Sequence, residues 1–155
     1  MDRLRYDDDT AFTLADDAST VARIARTASA DRLREVRFDA WSALEVLGHV
    51  ADTAEVFAER VRRCIAEEKP ALASFDPDAV AAERRNDQGD PMAMARRIQS
   101  AHAQIVRLLA DPAQRARTGV HAEWGEVDAA HIAGYHARHA HEHVTDLADR
   151  FPPSN

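Results

Sequence analysis

A chain of 155 residues with 27 acidic and 20 basic side chains, net charge −7, is long enough to bury about two-thirds of its unfolded surface. The basic residues are scattered and, apart from Lys69, all arginine, so the concentrated positive face that a nucleic-acid groove requires is missing. No apolar run approaches the ~18 residues of a membrane span, and no basic-then-apolar leader opens the chain. The expectation is one cytoplasmic domain over residues 1–155, with neither nucleic-acid nor membrane partners. Cys64 is the only cysteine, which excludes an intrachain disulfide and a cysteine-based zinc site.

Residues 1–9 are polar and are expected to fray, as are residues 152–155. From about Thr10 to Ala28, the residues Leu14, Ala18, Val21, Ile24 and Ala25 recur at helical spacing and predict a first helix. Ser29 to Asp39 reads as a connector. Ser42-Ala-Leu-Glu45 then has the form of a capping box, with Trp41 and Val46 placed as a hydrophobic staple across it. The second helix runs from there through Leu47, Val50, Ala54, Phe57, Val61 and Ile65, and stops before Pro70. Cys64 falls within its apolar stripe and reads as a small buried hydrophobe.

Ala71 to Gly89 is a long polar link, expected to cross the end of the bundle, with a short helix near Pro77 to Arg84. Asp90-Pro91 supplies an N-cap and a first-position proline for a third helix carrying Met94, Ile98, Ala101, Ile105 and Leu109. That helix ends near Asp111-Pro112, and a second connector reaches Gly125. Asp128 caps the fourth helix, with Val127 and Ile132 as its staple, and Pro152-Pro153 end it. No segment sustains period-2 alternation, so the fold class is all-α: a four-helix bundle with two long crossover connections.

Five of the eight histidines lie in the fourth helix. At ~100° per residue, His136, His139 and His143 fall within roughly 60° of one another at the edge of the apolar stripe, while His131 and His141 point to the wet side. His139 and His143 are spaced i,i+4, which lets two rings grip one ion from a single helix. His49 sits on the shoulder of the second helix's stripe, beside Val46 and Thr53. Were these two helices neighbours, His49 could complete a set of three imidazoles with an open coordination position, with His136 a rival ligand. His102 reads as a core-edge residue with a hydrogen-bond partner, and His121 as a solvated loop histidine.

Two other motif readings fail. His139-Ala-His-Glu142-His143 matches H-x-x-E-H, but too little chain follows to supply that signature's third ligand. A di-iron bundle needs Glu-x-x-His pairs on two helices, and no such spacing occurs.

Three segments together resemble one family. Trp41-Ser-Ala-Leu-Glu45-Val-Leu-Gly-His49-Val-Ala-Asp52 is similar to a W-S-x-x-E-x-x-x-H-l-x-D stretch of the DinB/YfiT-like proteins. Thr118-Gly-Val-His121-Ala-Glu-Trp-Gly125 resembles the family's loop before its last helix, and His139-x-x-x-His143-Val-x-Asp-Leu147 its closing H-x-x-x-H motif. The resemblance implies a metal-binding four-helix bundle, often homodimeric, whose ligands would be His49, His139 and His143. The ion would be divalent, zinc or nickel before iron.

What the resemblance implies for activity is a metal-dependent enzyme, a low-molecular-weight-thiol S-transferase ahead of a hydrolase, acting on a small-molecule substrate with a thiol partner. Asp52, one turn from His49, would orient that ring. Glu142 points roughly 100° away from the His143 edge and is not assigned as a base, so no catalytic residue beyond the ligands is named. The alternatives from other classes are a non-enzymatic metal-binding stress-response protein and a plain helical homodimer.

Overall fold

The computed structural model describes residues 3–154. The fraying expected of residues 1, 2 and 155 lies outside the described residues. Helix α1 spans Asp8–Thr27, the short α2 Ala30–Glu35, and a two-residue hairpin (β1 Arg37–Phe38, β2 Trp41–Ser42) leads into α3, Ala43–Ala66. After β3 (Ala71–Leu72) come α4 (Pro77–Arg84), α5 (Pro91–Leu108), β4 (Thr118–His121), β5 (Gly125–Asp128) and α6 (Ala129–Arg150).

The helix starts follow from side chains that satisfy orphan backbone N–H groups. Ser42 accepts from the Glu45 N–H at 3.1 Å, and Glu45 accepts from the Ser42 N–H at 3.1 Å, so the predicted capping box forms. Asp90 and Asp128 cap α5 and α6 as their positions predict. Each such cap contributes about 1 kcal/mol and, more to the point, fixes the rotational phase of the helix behind it.

The four long helices make the bundle. Helices α1 and α3 each pack against both α5 and α6, so they face each other across the diagonal. Side-chain pairs set the directions. Leu4 meets His131, Asp17 meets His141 and Arg23 reaches Phe151, so α1 and α6 run parallel. His49 meets His143 and Phe57 meets Tyr135, so α3 and α6 are antiparallel. Leu47 and Ile98 share the apolar cluster at one end while Val61 and Leu109 share the cluster at the other, so α3 and α5 are parallel neighbours.

Parallel adjacent helices need a connection as long as the bundle. Residues 67–90 therefore run along its side, with α4 packed on α3, rather than across its end as the sequence suggested. The sheet is an addition to the all-α reading. β3 pairs parallel with β4 (Ala71 opposite Val120), and β4 pairs antiparallel with β5 (Thr118 opposite Asp128). Strands of two to four residues are too short to leave a period-2 signature.

Residues 3–7, whose polarity suggested fraying, lie against α6. The Leu4 N–H donates to His131 Nδ1 at 3.0 Å, and Tyr6 is buried. This covers His131, which is 3% exposed rather than on the wet side, while His141 stays accessible beside buried Asp17. No helix among the described residues is long and apolar enough to cross a membrane.

Candidate metal centre

His49 leaves α3 toward α6, and His139 and His143 leave α6 toward α3. The three rings meet edge-to-face, with centroids 4.7–5.2 Å apart. One ring nitrogen from each lies within 4.8 Å of the others. His139 Nε2 and His143 Nε2 are 3.2 Å apart. Two nitrogens bound tetrahedrally at ~2.0–2.1 Å to one zinc ion stand about 3.3 Å apart, so this pair already has the spacing of shared ligands.

Burial holds all three rings in the neutral form that coordination needs. It pushes His49 down to about 3, with His143 and His139 adding to the shift. Burial likewise lowers His139 and His143, against the opposing pull of Glu142 on both and of Asp146 on His143. His49 Nδ1 is buried without a hydrogen-bond partner among the described residues. Trp41, the staple residue before α3, packs on the His49 ring at 4.8 Å between centroids.

His136 is not part of this group. Its Nε2 lies 3.0 Å from His102 Nε2, and His102 Nδ1 lies 2.8 Å from the Leu14 carbonyl oxygen. The two rings face α5 and α1 from the bundle centre, and His102 is fully in the core rather than at its edge. Asp52, expected to orient His49, faces the other way. Its carboxylate accepts from Asn86 Nδ2 at 2.9 Å and Arg97 Nη2 at 2.7 Å, with Arg84 3.3 Å away. The i,i+3 step that seemed to bring it near His49 turns it instead to the α5 and crossover side. Cys64 is fully buried, and burial pushes its thiol up to about 11, as suits a packing residue.

Beside the triad opens a cavity of about 200 Å³. His49 and His139 form one end, Phe57, Trp124 and Tyr135 an aromatic wall, and Ser74 to Pro77 of the crossover a roof. His121, read as a solvated loop residue, is 6% exposed and lines this cavity from the end of β4. Its Nδ1 accepts from the backbone N–H groups of Glu123 and Trp124 at 3.0 and 3.1 Å.

Sequence reasoning missed the wall. Part of it was available: His49, Thr53, Phe57 and Arg60 step by four, four and three along α3, and Tyr135 stands four before His139, so each set shares a face. His121 and Trp124 carried no such signal, because only sheet pairing brings them to α3.

A bundle with two parallel pairs, a long crossover between α3 and α5, and three imidazoles that meet beside a cleft defines the structural class of this molecule. The chain belongs to the DinB superfamily, whose family model matches residues 13–147. A search of curated proteins returns no match. Among solved structures, the chain is similar to YfiT from Bacillus subtilis, described as a probable metal-dependent hydrolase with an unusual four-helix bundle topology. The TM-score is 0.77 at 22% identity, covering 95% of this chain and 88% of that one. It is also similar to a mycothiol-dependent maleylpyruvate isomerase, with TM-score 0.70, 13% identity, 90% of this chain covered and 59% of that one.

Proposed function

We propose that the protein is a metal-dependent enzyme in which His49, His139 and His143 hold one divalent cation, and that it transfers a low-molecular-weight thiol to a small electrophile. The observation that carries this is the meeting of three neutral imidazoles from two antiparallel helices, two of which, His49 and His139, line an accessible cleft. Three histidines leave an open coordination position, whereas structural sites are usually closed by four protein ligands. A bound cation would lower the pKa of a thiol entering that position.

The chain's residues then do the rest. Trp41 packs on the His49 ring, and the capping box of α3 and the Asp128 cap of α6 set the helix phases that bring the three rings together. Phe57, Trp124 and Tyr135 exclude water from one side of the cleft and offer flat apolar surface to the electrophile. Glu123 is the one carboxylate lining the cavity, and Ser74 Oγ donates to it at 3.0 Å.

The hydrolase reading keeps the same ligands with a water as nucleophile, and the likeness to YfiT favours it. Metal analysis and cobalt substitution test both. The wild type should carry one divalent ion per chain, and His139→Gln or His143→Gln should carry at least tenfold less. Adding a thiol should then bring sulfur-to-cobalt absorption in the substituted protein. An unchanged spectrum would leave the hydrolase reading standing, and a metal-free wild type that takes up no added ion would remove both.

A further inference from the structure

Arg60 is the one charged side chain in the cleft that nothing explains. It is 7% exposed, yet no carboxylate among the described residues lies within ion-pair distance of it. Its guanidinium sits 4.8 Å over the Phe57 ring, and Nη2 donates to the Ala73 carbonyl oxygen at 2.6 Å. That uses one of five N–H groups, and the others have no protein partner among the described residues. A buried guanidinium without a counter-charge is costly to keep, and burial already pulls its pKa below the usual arginine value.

His121 stands beside it. Because Nδ1 accepts two backbone N–H groups, the neutral ring carries its proton on Nε2. Nε2 has no protein partner among the described residues, although the residue is 6% exposed. Burial holds this ring neutral, with the nearby Arg60 charge adding to the effect and Glu123 opposing it. Two donors on largely buried residues, a planar guanidinium fork and an imidazole N–H, thus open onto a cavity that also has His49 and His139 in its lining, together with the Glu123 carboxylate, which accepts from Ser74 Oγ.

We propose that Arg60 and His121 form a carboxylate anchor, so that the molecule bound in the cleft is an organic acid held by its carboxylate at this end with its reactive part toward the triad. The fork of Arg60 matches a carboxylate in two-point geometry, and the Nε2–H of His121 adds a third donor. At about 200 Å³ the cavity is smaller than the roughly 300–1,000 Å³ of ordinary small-molecule sites, which suits a compact acid or the carboxylate end of a longer one. This rests on reading the cleft as the ligand site. The carboxylate belongs either to the electrophile or to the thiol.

Titration calorimetry with succinate and benzoate against succinamide and benzamide tests it, on both chelator-treated and zinc-loaded protein. The acids should bind at least tenfold more tightly than the amides, and Arg60→Met should lose at least tenfold of acid binding while zinc stoichiometry stays as in wild type. Arg60→Gln drops the charge and keeps an N–H for Ala73, so it decides the matter should Arg60→Met fail to fold. His121→Phe should weaken the acids by a smaller factor.

Acids and amides binding alike, or charge-free variants binding acids like the wild type, would overturn the anchor. So would acid binding that appears only with zinc and ignores Arg60, although the triad reading would survive that result. Acid binding that depends on Arg60 in protein unable to hold zinc would keep the anchor and remove the metal. Glutathione against its dimethyl ester separates the sources: an Arg60-dependent preference for free glutathione puts the carboxylate on the thiol, and its absence beside succinate or benzoate binding puts it on the electrophile.

Discussion

His102 and His136 fix each other's protonation. A carbonyl oxygen can only accept, so His102 Nδ1 carries the proton that reaches Leu14, and its Nε2 must accept from His136 Nε2–H. His136 Nδ1 is then left as a buried lone pair without a partner. Burial is the main cause holding His102 below the ordinary value of 6.5, against the Leu14 hydrogen bond, and His136 well below it. Below that value the unfolded chain takes up protons that the folded chain refuses, so stability is full above about 6.5 and is lost as pH falls. Each such ring contributes at most ~1.4 kcal/mol per pH unit in that window. Urea unfolding of chelator-treated protein from pH 7.5 to 5 should show the loss, and the double variant His102→Leu/His136→Phe should make it shallower, with the other buried histidines, His49, His121, His131, His139 and His143, carrying the remainder. An unaltered slope in that variant would mean that other groups carry it.

The N-terminal segment and α6 depend on one glycine. A Cβ at Gly134 would sit 2.5 Å from the Arg5 carbonyl oxygen and 3.1 Å from Leu4 Cβ. Backbone cannot yield as a flexible side chain does, so Gly134→Ala should push residues 4–7 off the helix at a cost of about 1–3 kcal/mol. The readout is amide exchange: the Leu4 N–H, protected by His131 Nδ1 in the wild type, should exchange far faster in the variant. Exchange unchanged at Leu4 would show that the segment tolerates the methyl. The same segment explains why His131 misled the helical wheel. Its face is polar and would have been wet, but chain from 127 positions earlier lies over it.

For the whole molecule, the three histidines tie the antiparallel pair α3 and α6 together, and the crossover that parallel α3 and α5 require roofs the cleft beside them. An ion that binds only the folded form adds stability by mass action, about 4.1 kcal/mol at a thousand times its dissociation constant. A chain of this length moves by ~2–4 °C per kcal/mol, so chelation should lower the melting temperature on the order of 10 °C. His143→Gln should melt near the chelated wild type and ignore the chelator. A wild type whose melting is indifferent to both chelator and added ion would argue against the site. The crossover should open before the bundle does, because α4 is a short helix packed chiefly on α3.

Local chemistry was legible in the chain itself. Caps at Ser42, Asp90 and Asp128, the 3.6-residue period and the i,i+4 pair His139/His143 are effects of near neighbours, and they specified four long helices, the starts of three of them and two of the triad's three rings. His49 could be matched to that pair only on the condition that α3 and α6 adjoin, which packing decides. So does the turning of Asp52 away from His49, the removal of His136 to His102, and the arrival of His121 and Trp124 beside Arg60. Each depends on which faces come together when apolar stripes are buried, and spacing along one helix says nothing about the neighbour it will meet.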